Sequence, residues 1–251
     1  MTARRPMALV TGGALRVGRA ICLALARAGC DVTLTYRKSG VEAESLVHEL
    51  RSLGASAESA ALDLEDLDAV AAFGRWFSAS SGGLDVLVHN ASIYEPTAGG
   101  DACAAGALRA MRINAIGPLV LTRELSAMLS RSVRPGGGSI VCLCDIHASD
   151  RPRKGFVEYA MSKAALEQMV RVLAVELAPR VRVNGVAPGV VAFPASGPES
   201  DPALQARYVQ RVPLGRSGTV EEAAEAVRWL ALDATYTTGE VVRVDGGRRL
   251  S

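Results

Sequence analysis

Tyr159 and Lys163 stand four apart in the run Tyr159-Ala-Met-Ser-Lys163-Ala-Ala-Leu166, so both lie on one face if the run is helical. A lysine beside a phenol stabilises the phenolate and lowers the tyrosine pKa, which predicts a proton donor usable near neutral pH. The same spacing also arises by chance in helices, so it gains weight from what precedes it. Ser139-Ile-Val-Cys-Leu-Cys144 reads as a buried strand that ends in Asp145, an acid brought to the start of that helix. The competing reading is a strand-end aspartate that only caps a turn. Asn114 adds a third polar group. It interrupts an apolar helical pattern (Leu108, Met111, Ile113, then Leu119 and Leu121), and a buried amide needs partners. It either bends the helix or organises a path for water.

A second kind of chemistry is written near the N-terminus. Ala8-Leu9-Val10 is an apolar run, Thr11-Gly12-Gly13 turns, and a helical pattern follows through Val17, Gly18, Ile21 and Leu25 to a stop at Gly29. Strand, glycine turn and helix start form a cradle for phosphate, because glycine allows close approach and the first helical N–H groups face the anion. Arg16 stands inside this turn and adds a planar, permanently charged donor fork beside any phosphate. Its plain alternative is a solvent-facing arginine on the first helical turn.

The next pieces fit a dinucleotide around that cradle. Asp31 to Tyr36 reads as a β-branched strand, followed at once by Arg37, Lys38 and Ser39. A carboxylate at such a strand end selects NAD through the ribose hydroxyls, whereas cations accept a 2′-phosphate and select NADP. Here the strand end has two cations and a hydroxyl and no acid, which predicts NADPH; the competing reading is a solvated basic turn. Asp63 and Leu64 end a weak strand over Ser56 to Leu62. Asp63 is placed either to accept from the adenine amino group or to cap the next helix. Leu84 to His89 reads as a buried strand leading into Asn90-Ala91-Ser92-Ile93-Tyr94. Small residues there let a cofactor ring approach the backbone, and Tyr94 then offers an aromatic face to the next pocket or packs within its loop.

The elements that must position these residues are also visible. Helical spacing marks Val41 to Leu53, Leu67 to Ser80, Asp101 to Asn114, Ile116 to Arg131, Tyr159 to Leu177 and Leu204 to Val212. Thr219 with Glu222 three residues on predicts a capped helix start. Val181 to Gly189 and Thr238 to Val244 read as strands, with Pro188 and Gly189 at the exit of the first. Ala195 to Asp201, rich in Pro, Ser, Gly and Glu, predicts a mobile loop suited to a substrate lid. The chain has 251 residues with 49% hydrophobic and 4% aromatic content, which suits an Ala/Val/Leu core between helices and a parallel sheet. Net charge is +2, so nothing points to nucleic acid or an anionic membrane. No apolar run is long enough to cross a bilayer and no secretory leader is read. Five scattered cysteines, Cys22, Cys30, Cys103, Cys142 and Cys144, lack zinc spacing and read as reduced thiols, so no metal is expected.

In this order the motifs resemble the short-chain dehydrogenase/reductase family over essentially the whole chain. The matching residues are Thr11-Gly12 through Gly18, Asp63, Asn90-Ala91, Asn114, Tyr159-x-x-x-Lys163, Pro188-Gly189 and Asp245-Gly246-Gly247. The resemblance implies an α/β fold, one Rossmann-like doubly wound parallel sheet of about seven strands spanning residues 1–251, with a substrate loop near 190–215. It implies hydride transfer with a nicotinamide cofactor in a cytoplasmic homotetramer. By it Tyr159 is the proton donor, Lys163 binds the nicotinamide ribose and tunes Tyr159, and Asn114 holds a relay water. Gly12, Arg16, Val17, Gly18, Arg37, Lys38, Ser39, Asp63, Leu64, Asn90, Ala91, Ser92, Pro188 and Gly189 line the cofactor site.

Three departures narrow the resemblance. Arg16 replaces a glycine, Asp145 stands where the family has a serine, and Phe193 stands where a threonine often follows Pro-Gly. The first two make the chain similar to the pteridine and dihydromonapterin reductase branch. That branch implies a pterin substrate held by Ser92, Tyr94, Asp145 and Tyr159. The chemistry points the same way. A carboxylate repels the alkoxide that forms in ketone reduction, whereas a pterin offers ring N–H and amino donors and takes its proton on a ring nitrogen. A carbonyl reductase acting on 3-oxoacyl thioesters, and a nucleotide-binding protein without turnover, are the other readings.

Overall fold

The computed structural model describes residues 4–97, 102–193 and 200–251. Its sheet has seven parallel strands: β1 (Met7–Val10), β2 (Asp31–Tyr36), β3 (Ala57–Ala61), β4 (Val86–His89), β5 (Gly138–Leu143), β6 (Val181–Pro188) and β7 (Val241–Val244). The spatial order is β3-β2-β1-β4-β5-β6-β7, so the winding direction reverses between β1 and β4. In such sheets ligands bind outside the carboxyl ends of the strands at that reversal.

Period-two alternation sends successive strand residues to opposite cores. Ala8, Val10, Val86, Val88 and Val141 pack with helices α1 (Arg16–Arg27), α2 (Gly40–Ser52) and α9 (Val220–Leu232). Leu9, Leu87, Ile140, Cys142 and Cys144 face the other way, toward α3 (Leu67–Ser80), α5 (Gly117–Leu129) and α7 (Val157–Glu176). Cys142 and Cys144 thus share a face as their spacing predicts. Burial on both faces explains why these strands read as unbroken apolar runs. Thr219 caps α9 as predicted, accepting from the Glu222 N–H at 3.2 Å while Glu222 reaches back to the Thr219 N–H at 2.9 Å.

Four expectations are corrected. The two helices expected on either side of Asn114 are one rod: α4 (Ala102–Met111), a π turn (Arg112–Ile116) and α5. The wider turn accommodates the inward-pointing amide instead of breaking the helix. A short helix, α6 (Ile146–Ser149), fills part of what reads as irregular chain, because Asp145 caps it by accepting from the His147 N–H at 2.7 Å. Strand β7 begins at Val241 rather than Thr238, since Asn184 bonds the Thr237 carbonyl and the Glu240 N–H and Thr238 Oγ1 accepts from the Val183 N–H. Helix α8 (Pro202–Val209), capped by Asp201, starts earlier than Leu204. The predicted loop from Ala195 to Asp201 lies, through residue 199, outside the described residues.

Candidate active site

The carboxyl ends of β1 to β6, or the turns that follow them, border two adjoining cavities of about 370 and 910 Å³. The smaller begins at the glycine turn after β1. Gly12 has φ +62°, a left-handed value that glycine adopts without strain. Thr11 Oγ1 accepts from the N–H groups of Asn90 (3.1 Å) and Ala91 (3.2 Å), while Asn90 Nδ2 donates to the Thr11 and Gly12 carbonyls. These bonds staple the exits of β1 and β4 together. Gly18 is required for a different reason: a Cβ there would lie 2.1 Å from the Gly12 carbonyl oxygen and 2.6 Å from Asn90 Nδ2. Helix α1 opens with no acidic residue in its first turn and no side-chain cap, leaving its N–H groups free for an anion.

Arg16 holds φ +50° in this turn, a conformation that costs a non-glycine residue about 1–2 kcal/mol. Its guanidinium donates to the Ala192 carbonyl at 2.8 Å, so the exposed side chain reaches across the opening rather than into bulk solvent. With Val17, Asn90 and Ser92 it borders both cavities. Gly12, Gly18, Arg37, Asp63, Leu64 and Ala91 line the smaller one. Lys38 and Ser39 do not line it. Both follow the turn into α2, where Ser39 is the N-cap residue and makes no capping bond with its side chain. Asp63 is not the helix cap: Asp66 caps α3 through the Ala69 N–H at 3.0 Å, and Asp63 bonds the Glu65 N–H.

The larger cavity holds the polar centre. Tyr159 is buried and donates its phenol proton to Asp145 Oδ2 at 2.6 Å. Burial pushes the phenol pKa well above its ordinary value, and the neighbouring carboxylate adds to that shift. This reverses the expectation that Lys163 lowers it. Lys163 instead donates to the Leu143 carbonyl at 2.6 Å, and burial pushes its ammonium down. Asn114 lies behind this pair. Its Oδ1 accepts from the Ile93 N–H at 2.9 Å, and its Nδ2 donates to the Ile93 carbonyl and to Ser162 Oγ. The amide therefore ties the loop after β4 to α7. Pro188 and Gly189 complete the wall, with the Gly189 N–H bonded to the Val244 carbonyl.

Tyr94 lines the cavity as expected, but not as a lone face. It stacks on Phe156 at 4.6 Å and 12°, meets Tyr159 edge-on at 4.8 Å, and its hydroxyl accepts from Arg153. Sequence reasoning did not single out Phe156, Arg153, His147, Tyr208 or Arg248, all close to this centre. Tyr208 carried a signal, since it is the one aromatic on α8, a helix with no fully buried residue.

A family model described as Enoyl-(Acyl carrier protein) reductase matches residues 13–249. The chain is a short-chain dehydrogenase/reductase. It is 34% identical to Pteridine reductase 1 of Leishmania tarentolae, covering 98% of this chain and 97% of that one. It is 32% identical to the 3-oxoacyl-(acyl-carrier-protein) reductase FabG of Aquifex aeolicus, covering 96% of each. The crystal structure of a blue fluorescent protein from a metagenomic library in complex with NADPH superposes with a TM-score of 0.86 at 34% identity, covering 97% of both chains. The short-chain family binds a nicotinamide cofactor, and the residues present fit one: the cradle at Gly12 and Gly18 is held open by contacts that a Cβ would destroy, above an uncapped helix start. Among the described residues no group of three His, Cys, Asp or Glu could hold a metal ion, and no helix is long and apolar enough to cross a membrane.

Proposed function

We propose that this short-chain dehydrogenase/reductase is an NADPH-dependent reductase of a dihydropterin, with Tyr159 as proton donor. One observation supports the reading above the others: the hydrogen bond from the Tyr159 phenol to Asp145 Oδ2. In a ketone reductase a neutral hydroxyl at that position would donate to the carbonyl oxygen, and a carboxylate would oppose the charge forming there. A pterin presents N–H and amino donors that a carboxylate can accept, and its C=N bond takes a proton on nitrogen.

Bound in the cradle, the cofactor supplies a hydride to the ring carbon. The chain's own residues supply the proton. Tyr159 passes its phenolic proton to the ring nitrogen, forming the new N–H bond. A phenolate left within hydrogen-bond distance of a carboxylate would bring two anions together. The balance closes when a proton reaches Asp145 from solvent and passes to Tyr159. Lys163, held by the Leu143 carbonyl, fixes a buried cation behind the site. Asn114 fixes the Ile93 backbone beside it and leaves one Oδ1 lone pair for a water. Tyr94, Ser92 and residues near 190–215 border the substrate, with Phe156 setting the angle of the Tyr94 ring. Arg37 and Arg16, which both line the smaller cavity, would hold the cofactor's 2′-phosphate and its bridging phosphates. Exposed Leu108 on α4 and Met161, Val172 and Val175 on α7 give an apolar face that would suit a homotetramer.

The test is NADPH oxidation with a panel of dihydropterins, dihydrofolate and an acetoacetyl thioester, in wild type and in Asp145→Ser. The wild type should prefer a dihydropterin, and Asp145→Ser should depress that activity severely. If the wild type prefers the thioester and Asp145→Ser only improves it, the protein is a carbonyl reductase.

A further inference from the structure

The larger cavity contains a charged region that the proton relay does not use. Among the described residues, eight cationic side chains line it against two carboxylates, in a chain with 28 basic and 26 acidic residues. The two carboxylates do not balance the excess: Asp145 offsets one charge, and Asp150 is already ion-paired with Arg243 at 2.8 Å. Of the eight cations only Arg16 also borders the smaller cavity, where the cradle lies, so phosphates held there would not account for the others.

The centre of this region is Arg248. It is 4% exposed, yet no Asp or Glu side chain among the described residues pairs with it, and its buried Nε has no hydrogen-bond partner. One Nη donates to the Ser251 main-chain oxygen at 2.7 Å, and the guanidinium lies 5.1 Å from the centre of the Tyr208 ring. Burial disfavours its charged form, and the nearby Arg151 and Arg211 repel it further. A buried guanidinium that lines a cavity, that no acidic side chain among the described residues pairs with and whose Nε is left unsatisfied, with two more arginines around it, suits an anion. Tyr208 sets its position relative to the reacting centre. Its hydroxyl accepts from the Val190 N–H at 3.2 Å, next to Gly189, while its ring face carries Arg248.

We infer that Arg248, with Arg151 and Arg211, forms a subsite for a carboxylate or phosphate carried on the substrate's tail, separated from the Pro188–Gly189 wall by the ring of Tyr208. The substrate class is then a dihydropterin with an anionic side chain rather than a neutral one. The choice of a pterin head group rests on the functional reading above, whereas the anion subsite does not.

Isothermal titration of the protein loaded with NADP+ separates the two. The ligands are 6-hydroxymethylpterin, its phosphate monoester, folate, and 4-aminobenzoylglutamate as a tail without a pterin. A charged pterin should bind at least about tenfold tighter than the uncharged one. The advantage should shrink as salt is raised and should largely vanish in Arg248→Gln. Arg211→Glu provides a second variant at an exposed position, where folding is not at stake, and should erode the advantage as well. Whether phosphate or carboxylate gains more identifies the tail. Equal affinities for charged and uncharged pterins in the wild type overturn the subsite and leave the pterin reading standing. Binding of the tail alone, with no binding of the uncharged pterin, upholds the subsite and overturns the pterin reading. An advantage that persists in both variants overturns the assignment to these arginines.

Discussion

Replacing Asp145 with asparagine should lower the pKa of Tyr159, since the carboxylate's charge and its hydrogen bond both hold the proton on the phenol. The substitution is close to isosteric. The asparagine carbonyl can still accept from the His147 N–H, which keeps α6 capped. What it removes is the carboxylate at 2.6 Å from the phenol oxygen, a separation typical of an O–H donor on a charged acceptor. The sign follows from the direction of the bond. A carboxylate beside a phenol favours the protonated form, so deleting its charge favours ionisation. Burial, the larger cause of the raised pKa, is unchanged, and Tyr159 should remain above an exposed tyrosine. The assay is NMR titration of ring-¹³C tyrosine, with Tyr159→Phe assigning the resonance among the five tyrosines. A midpoint that stays in place or rises on Asp145→Asn would refute the argument that Asp145 holds the proton on Tyr159.

Tyr159→Phe should cut turnover roughly 10²–10⁴-fold while NADPH fluorescence titration shows binding retained, because the cradle at Gly12 and Gly18 is untouched. Gly18→Ala should do the opposite: its Cβ would press on the Gly12 carbonyl at 2.1 Å, an overpacking worth about 1–3 kcal/mol in thermal unfolding, and the same titration should show weakened NADPH binding. Arg37→Glu should shift the ratio of NADPH to NADH kcat/KM toward NADH more than Lys38→Glu does, because of the two only Arg37 lines the smaller cavity. Equal shifts would move the 2′-phosphate to another set of contacts.

The sheet was legible because strands buried on both faces leave little choice of residue, and the cradle because only glycine fits beside the Gly12 carbonyl. The order of the motifs along the chain then placed Tyr159, Asp145, Asn90 and Gly189 on one edge of that sheet. The partners chosen across the sheet were not legible. Spacing of four put Lys163 on the face of Tyr159, but spacing does not report that the Leu143 carbonyl takes the ammonium and Asp145 takes the phenol. Asn114 announced itself as an amide in an apolar helix, yet the π turn that admits it depends on Ile93 and Ser162, which are distant in sequence.

Arg248 shows most sharply why the rest of the site stays hidden in the sequence. Arg248 and Arg249 are adjacent, identical in type, and follow the same Asp245-Gly246-Gly247 turn, so nothing in their spelling separates them. The turn separates them. Gly246 and Gly247 take φ +60° and +84°, Asp245 bonds the Gly247 and Arg249 N–H groups, and the chain reverses into a short 3₁₀ turn. That reversal leaves Arg249 in solvent and lays Arg248 against the ring of Tyr208, which belongs to a helix some forty residues earlier. A buried cation without a carboxylate is costly unless something else supplies the negative charge. In this fold Arg248 lines the cavity where the substrate is proposed to sit, and the subsite proposal gives the ligand the negative charge, since no acidic side chain among the described residues pairs with Arg248 there.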